Sequence, residues 1–277
     1  MKPKRRLGVA PILLLATGCG LFYRAPAPIA TIPYTAGDPV AGRDLFVLLP
    51  GRGDRASAYA DQGIVQLARS AIANLDVVAV DATLGYYIHR NLPERLLADV
   101  VEPARTRGYR SIWLGGISMG GLGALLFAER HPAAVSDVIV VAPFLGDDDV
   151  LAEIERAGGV AAWQPPATVD PEDYQRELWR WLRGCTVLHS QPCPRIFLGF
   201  GSEDRFARAH RLLASVLPPT HVATVPGGHT WEPWRQLFAA LLPRVARPRR
   251  KHMSRCTLYI TTLHAIYEVR ADAPGLP

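Results

Sequence analysis

The stretch Gly115–Pro132, GGISMGGLGALLFAERHP, decides how the chain folds. Five of its first nine residues are glycine, and Ser118 sits among them. It opens inside an apolar run, SIWLGGIS (111–118), of the kind that forms a buried strand. It continues into Met119–Arg130, rich in Ala and Leu and free of Pro, which reads as a helix. Gly116-Ile117-Ser118-Met119-Gly120 therefore fits G-x-S-x-G at a strand-to-helix turn. At so sharp a turn, residues two positions either side of the serine must lack side chains or they collide. The turn lifts the hydroxyl above the sheet and aims the next helix N-terminus at it, which favours a developing negative charge. The bare pattern occurs by chance. Its setting between strand and helix gives it weight against the bland alternative, a glycine-rich packing turn.

Apolar, β-rich runs recur on both sides: 44–50, 75–83, 111–118, 135–144, 195–201 and 221–226. They are near-continuously apolar, as strands buried on both faces are. Helix-length segments lie between them, at 57–75, 93–107, 119–130, 206–216 and 231–245. The alternation predicts an α/β fold, a doubly wound, mostly parallel sheet. One interval breaks the rhythm. Residues 145–192 form an insertion at the C-terminal edge of the sheet, where ligands bind in such folds.

A serine needs a base, and in this arrangement the partners follow in the order Ser, Asp or Glu, His. After the strand RIFLGFG comes SEDRF, with Glu203 and Asp204 at the strand end; after HVATVP comes GGHTW, with His229 opening the last helix. Of the eight histidines only His229 has this setting. His131, His210 and His221 read as surface or structural residues; His89 and His189 are minor competitors. Asp204 is preferred as the acid, and its neighbour Glu203 stays open because spacing does not separate adjacent carboxylates. An oxyanion hole takes one backbone N–H from the residue after the serine, Met119. The other comes from the loop LLPGRGD, with Arg52 the expected donor between Gly51 and Gly53.

GGISMGGLGAL, GSEDRF and GGHTWEPWRQLF together resemble the α/β-hydrolase superfamily, over residues 44–246. Within it they are most similar to the esterase group holding esterase D, ferric enterobactin esterases and mycolyltransferases. The resemblance implies a serine hydrolase that cleaves a small-molecule carboxylic ester by a Ser-His-Asp triad through an acyl-enzyme, with no cofactor and no metal. Two alternatives remain: acyl transfer by the same triad, told apart by adding an acceptor alcohol, and a non-catalytic envelope binding protein, which would normally have lost a triad member. This chain departs from many relatives in having Pro50-Gly51 where they have His-Gly.

Composition narrows the chemistry. The formal charge is +6, with +4 at residues 2–6 and +5 in 244–277, leaving −3 on the body 7–243. The basicity belongs to the two ends and does not argue for nucleic acid. Every cation of the body is arginine, so lysine-dependent chemistries such as a P-loop or a Schiff base are excluded there. Asp147–Asp149 read as a solvated helix start, not a metal site.

The N-terminus, MKPKRRLGVAPILLLATGCG, has a basic start and a short apolar run, the pattern of an export signal over residues 1–18. Its ending resembles a bacterial lipoprotein signal, with Cys19 as the lipidated first residue of a membrane-anchored, cell-envelope protein facing the periplasm. An ordinary signal peptide is the alternative. Residues 19–43, rich in Pro and Ala, read as a tether, and residues 247–277 as a basic, disordered tail. In an oxidising compartment Cys185 and Cys193 are expected to form a disulfide. Tyr86 and Tyr87, after the second strand, are candidate pocket walls, with ordinary surface packing the equal alternative. Trp179, in the insertion, is a candidate lid residue; a small satellite core is the other reading of that segment. The sequence is silent on oligomeric state.

Overall fold

The computed structural model describes residues 24–38, 41–170 and 172–246, and the backbone of 255–261 and 266–272. The expected signal at 1–18, the lipidation site Cys19 and the basic run at 248–251 lie outside the described residues.

The six apolar runs become six parallel strands: β2 (Asp44–Leu49), β3 (Leu75–Val80), β4 (Ser111–Ile117), β5 (Asp137–Val141), β6 (Arg195–Gly201) and β7 (Val222–Val225). A further strand, β1 (Thr31–Tyr34), pairs antiparallel with β3 and closes one edge. The order is β1-β3-β2-β4-β5-β6-β7. The chain therefore winds outward one way from β2 and the other way from β4. The loops leaving β2 and β4 diverge at this switch point and open a crevice at the C-terminal edge.

The interior strands are buried along their length, as their unbroken apolar composition requires. At the opposite edge, Asp44, Asp76 and Asp137 are buried where β2, β3 and β5 begin. Each is matched by arginine: Arg110, Arg43 and Arg195 respectively. Burying one of these acids without its partner would leave an uncompensated charge.

Two boundaries differ from the sequence expectation. Residues read as a tether fold onto the body: β1 is part of the sheet, Ile29 is buried, and its amide donates to Asp99 at 2.8 Å. A four-residue strand with a proline gives little periodicity to read, and Pro33 is tolerated because β1 is an edge. The tail, read as lacking regular structure, instead holds two antiparallel strands, β8 (Arg255–Thr261) and β9 (Ile266–Asp272). They belong to a second compact unit, Val245–Pro277, separate from the body that ends at Arg244.

The insertion holds helices Asp148–Arg156 and Tyr174–Arg183. Leu178, Trp179, Trp181 and Leu182 are buried in the same core as the sheet residues. Cys185 and Cys193 are joined by a disulfide where the segment returns to β6.

Candidate active site

Helix Met119–Arg130 leaves the end of β4 through Ser118, whose backbone sits at φ 54°, ψ −116°. That is a costly conformation for a residue with a side chain. The glycines around it answer to contact. A Cβ on Gly116 would lie 2.2 Å from the Gly120 carbonyl oxygen, and one on Gly120 would lie 2.0 Å from the Leu49 carbonyl oxygen. No side chain fits at either position. The turn is fastened by the Ser118 amide donating to Val141 O at 3.0 Å and the Phe144 amide donating to Ser118 O at 3.1 Å.

Loops from three other strands converge on this serine. Gly51, after β2, lies against it: a Cβ there would be 3.8 Å from Ser118 Cβ. Its loop is closed by the Asp54 amide donating to Gly51 O at 3.1 Å. After β6 comes Asp204, 4% exposed, and after β7 comes His229. His229 Nδ1 is 2.8 Å from Asp204 Oδ2, and His229 Nε2 is 3.0 Å from Ser118 Oγ. The imidazole thus bridges the hydroxyl and the carboxylate. Since an ionised carboxylate only accepts, Nδ1 carries the proton and Nε2 is the acceptor facing the hydroxyl.

Burial pushes the Asp204 carboxyl up. Hydrogen bonds from His229 and from the Phe206 amide outweigh it and hold the group below its ordinary range. Asp204 is therefore anionic where it meets the ring. Of the two adjacent acids, it is the one that faces His229; the Glu203 side chain points to solvent. The ring is held edge-on by Phe206 at 5.2 Å and Trp234 at 4.9 Å.

Three expected wall residues lie elsewhere. Tyr86 is fully buried and donates its hydroxyl to Pro26 O at 2.6 Å. Tyr87 packs against Gly123. Both border a cavity whose walls do not include Ser118, Asp204 or His229. Trp179 is fully buried, with Nε1 donating to Leu145 O at 2.7 Å, and offers no surface to a ligand. Its apolar bulk closes the core beneath the insertion. Sequence reasoning missed Phe206 and Trp234, although each follows a triad position closely, in SEDRF and GGHTWEPW. His210, read as a surface or structural residue, is the latter: it is fully buried, with Nε2 2.8 Å from Pro143 O. Among the described residues no cluster of His, Cys, Asp and Glu is arranged to hold a metal ion.

A family model described as Putative esterase matches residues 51–245. The chain belongs to this esterase family. It is a serine esterase with the α/β-hydrolase fold. Solved structures of similar fold include the S-formylglutathione hydrolase FrmB of Staphylococcus aureus, 13% identical, TM-score 0.53, covering 76% of this chain and 93% of that one. The fluorophosphonate-binding serine hydrolase FphF of Staphylococcus aureus is 13% identical, TM-score 0.53, with 80% and 100% covered. Est1E of Butyrivibrio proteoclasticus is 14% identical, TM-score 0.53, with 80% and 95% covered. At such identities the likeness is one of fold. Comparison with curated proteins finds no match.

Proposed function

We propose that this esterase cleaves a small-molecule carboxylic ester through an acyl-enzyme on Ser118. The observation that carries the reading is the His229 ring spanning Ser118 Oγ and Asp204 Oδ2 at 3.0 and 2.8 Å. Ser118 Oγ attacks the acyl carbon while His229 Nε2 takes its proton. Asp204 keeps the ring in the tautomer that can accept and stabilises the imidazolium that forms. The tetrahedral oxyanion is received by the amides of Met119 and Arg52. The Met119 amide is one of those a helix leaves unpaired at its first turn. His229 then returns the proton to the leaving alcohol. Water, deprotonated by the same ring, releases the acid.

The protein is read further as exported and anchored in the bacterial envelope through a lipidated Cys19, on the residues of its N-terminus. The intact mass of the mature N-terminal peptide tests this; an unmodified Cys19 rejects it.

Ser118→Ala is expected to abolish hydrolysis of a p-nitrophenyl ester, a loss of several orders of magnitude in kcat, with the melting temperature retained. A purified variant keeping a tenth of wild-type turnover would sink the mechanism.

A further inference from the structure

The cavity bordered by Tyr87 is a second place where the fold can take a small molecule. Its volume is about 620 Å³, within the range of small-ligand pockets. One wall is a stripe of the helix that follows Ser118: Leu122, Leu126 and Glu129. Positions four and three residues apart share a helix face, so these side chains line up. The opposite walls come from the segment after β3, with Tyr87 and Ile88, and from the insertion, with Tyr174. Ile88 is 49% exposed, one of three large apolar side chains left exposed among the described residues. The Tyr87 hydroxyl is buried with no hydrogen-bond partner.

Charge decides what such a cavity takes. Four charged side chains border it, and three are answered from outside or across its rim. Arg90 pairs with Glu172, Arg130 with Glu94, and Glu177 with Arg180. Glu129 has neither a hydrogen bond nor an ion pair among the described residues. Burial, then the nearby charge of Glu177, push its carboxyl up to about 7, against the weaker pull of Arg130 and Arg180. A half-buried carboxyl with no ion-pair partner among the described residues, set among tyrosine faces and aliphatic side chains, suits a cation with an apolar body.

We propose that this cavity is a binding site for a small hydrophobic organic ammonium, its cation on Glu129 and its apolar body against Tyr87, Tyr174, Leu122 and Leu126. The site is separate from the catalytic serine. Glu129 lies eleven residues further along the same helix, about 16 Å at the α-helical rise. The walls of the cavity do not include Ser118, Asp204 or His229, so the proposal does not depend on the esterase mechanism.

Calorimetric titration of the full chain with phenethylammonium, and with 2-phenylethanol as the uncharged analogue, tests this. Saturable binding is expected, with the ammonium at least about tenfold tighter than the alcohol. Glu129→Gln should erase that preference while leaving the alcohol's affinity unchanged. Ile88→Arg, which puts a like charge at the rim, should weaken the ammonium as well, and its melting temperature reports whether the fold survives. Protein whose Ser118 carries a fluorophosphonate adduct should bind the ammonium with wild-type affinity. Equal affinity for the two probes overturns the proposal, as does full ammonium affinity in Glu129→Gln or no saturable binding up to about 10 mM. Loss of binding on blocking Ser118 would place the ligand in the catalytic site and also overturn it.

Discussion

At the scale of single residues, the site separates groups that react from groups that hold them. Ser118, His229 and Asp204 each follow the end of a different strand, and those ends are legible because β4 and β6 are apolar runs that stop abruptly and β7 is closed by Pro226-Gly227-Gly228. The choice between Glu203 and Asp204 was legible only as a preference for Asp204. It turns on which way a strand-end loop faces, and adjacent carboxylates have the same spacing to everything else. His210 was left open between a surface and a structural role for a similar reason: a histidine in a helix looks alike from either face, and only packing shows that this one is wholly buried. Burial holds its ring down to about 4, despite the carbonyl of Pro143 and the charge of Asp204; His229 and Arg211 push the same way as burial. The folded protein therefore keeps His210 neutral where an unfolded chain would protonate it. The resulting stability is fully present above the unfolded value of 6.5 and is lost as pH falls from there toward 4. Its upper limit is about 3 kcal/mol. His210→Gln is expected to flatten the acid limb of a stability-against-pH curve in that window. An unchanged slope in urea unfolding at pH 6.5, 5.5 and 4.5 would show that the ring is not held neutral.

Among elements, the insertion is where sequence reasoning left two readings open and the structure favours the blander one for its tryptophans. The helix Tyr174–Arg183 turns Leu178, Trp179, Trp181 and Leu182 inward and its charged residues outward. That split was visible as periodicity; what the apolar face packs against was not, because it meets the helix Met119–Arg130, far from it in sequence. Trp179→Ala is expected to cost about 3–5 kcal/mol, the range for emptying a large aromatic site in a core. It should lower turnover of acetyl and long-chain esters alike, in step with a lower melting temperature. A selective loss for long-chain esters at unchanged stability would restore the lid reading. The disulfide Cys185–Cys193 closes the end of this element, and its loop of eight residues sets a contribution of about 2–3 kcal/mol.

Over the whole molecule, the parallel core from β2 to β6 was readable because its strands are buried along nearly all of their length, which leaves a near-continuous apolar signature. The edge was not. β1 is short, carries Pro33, and is mostly exposed, so nothing in its composition distinguishes it from a linker. Its place in the sheet makes a prediction. A chain beginning at residue 24 should keep the stability of one beginning at residue 20, whereas one beginning at residue 39 loses β1, the buried Ile29 and the Ile29–Asp99 hydrogen bond. Together these are worth a few kcal/mol, a drop of several degrees in melting temperature. Equal melting temperatures for all three would show that residues 24–38 are a tether after all. The central claim about the molecule is that four loops at one edge of this sheet make Ser118 the nucleophile, with His229 as its base. Labelling with an alkyl fluorophosphonate, followed by peptide mass spectrometry, tests it most directly. The adduct should sit on Ser118, form in the wild-type protein, and fail to form at a comparable rate in His229→Ala. An adduct on another residue, or undiminished labelling without His229, would contradict it.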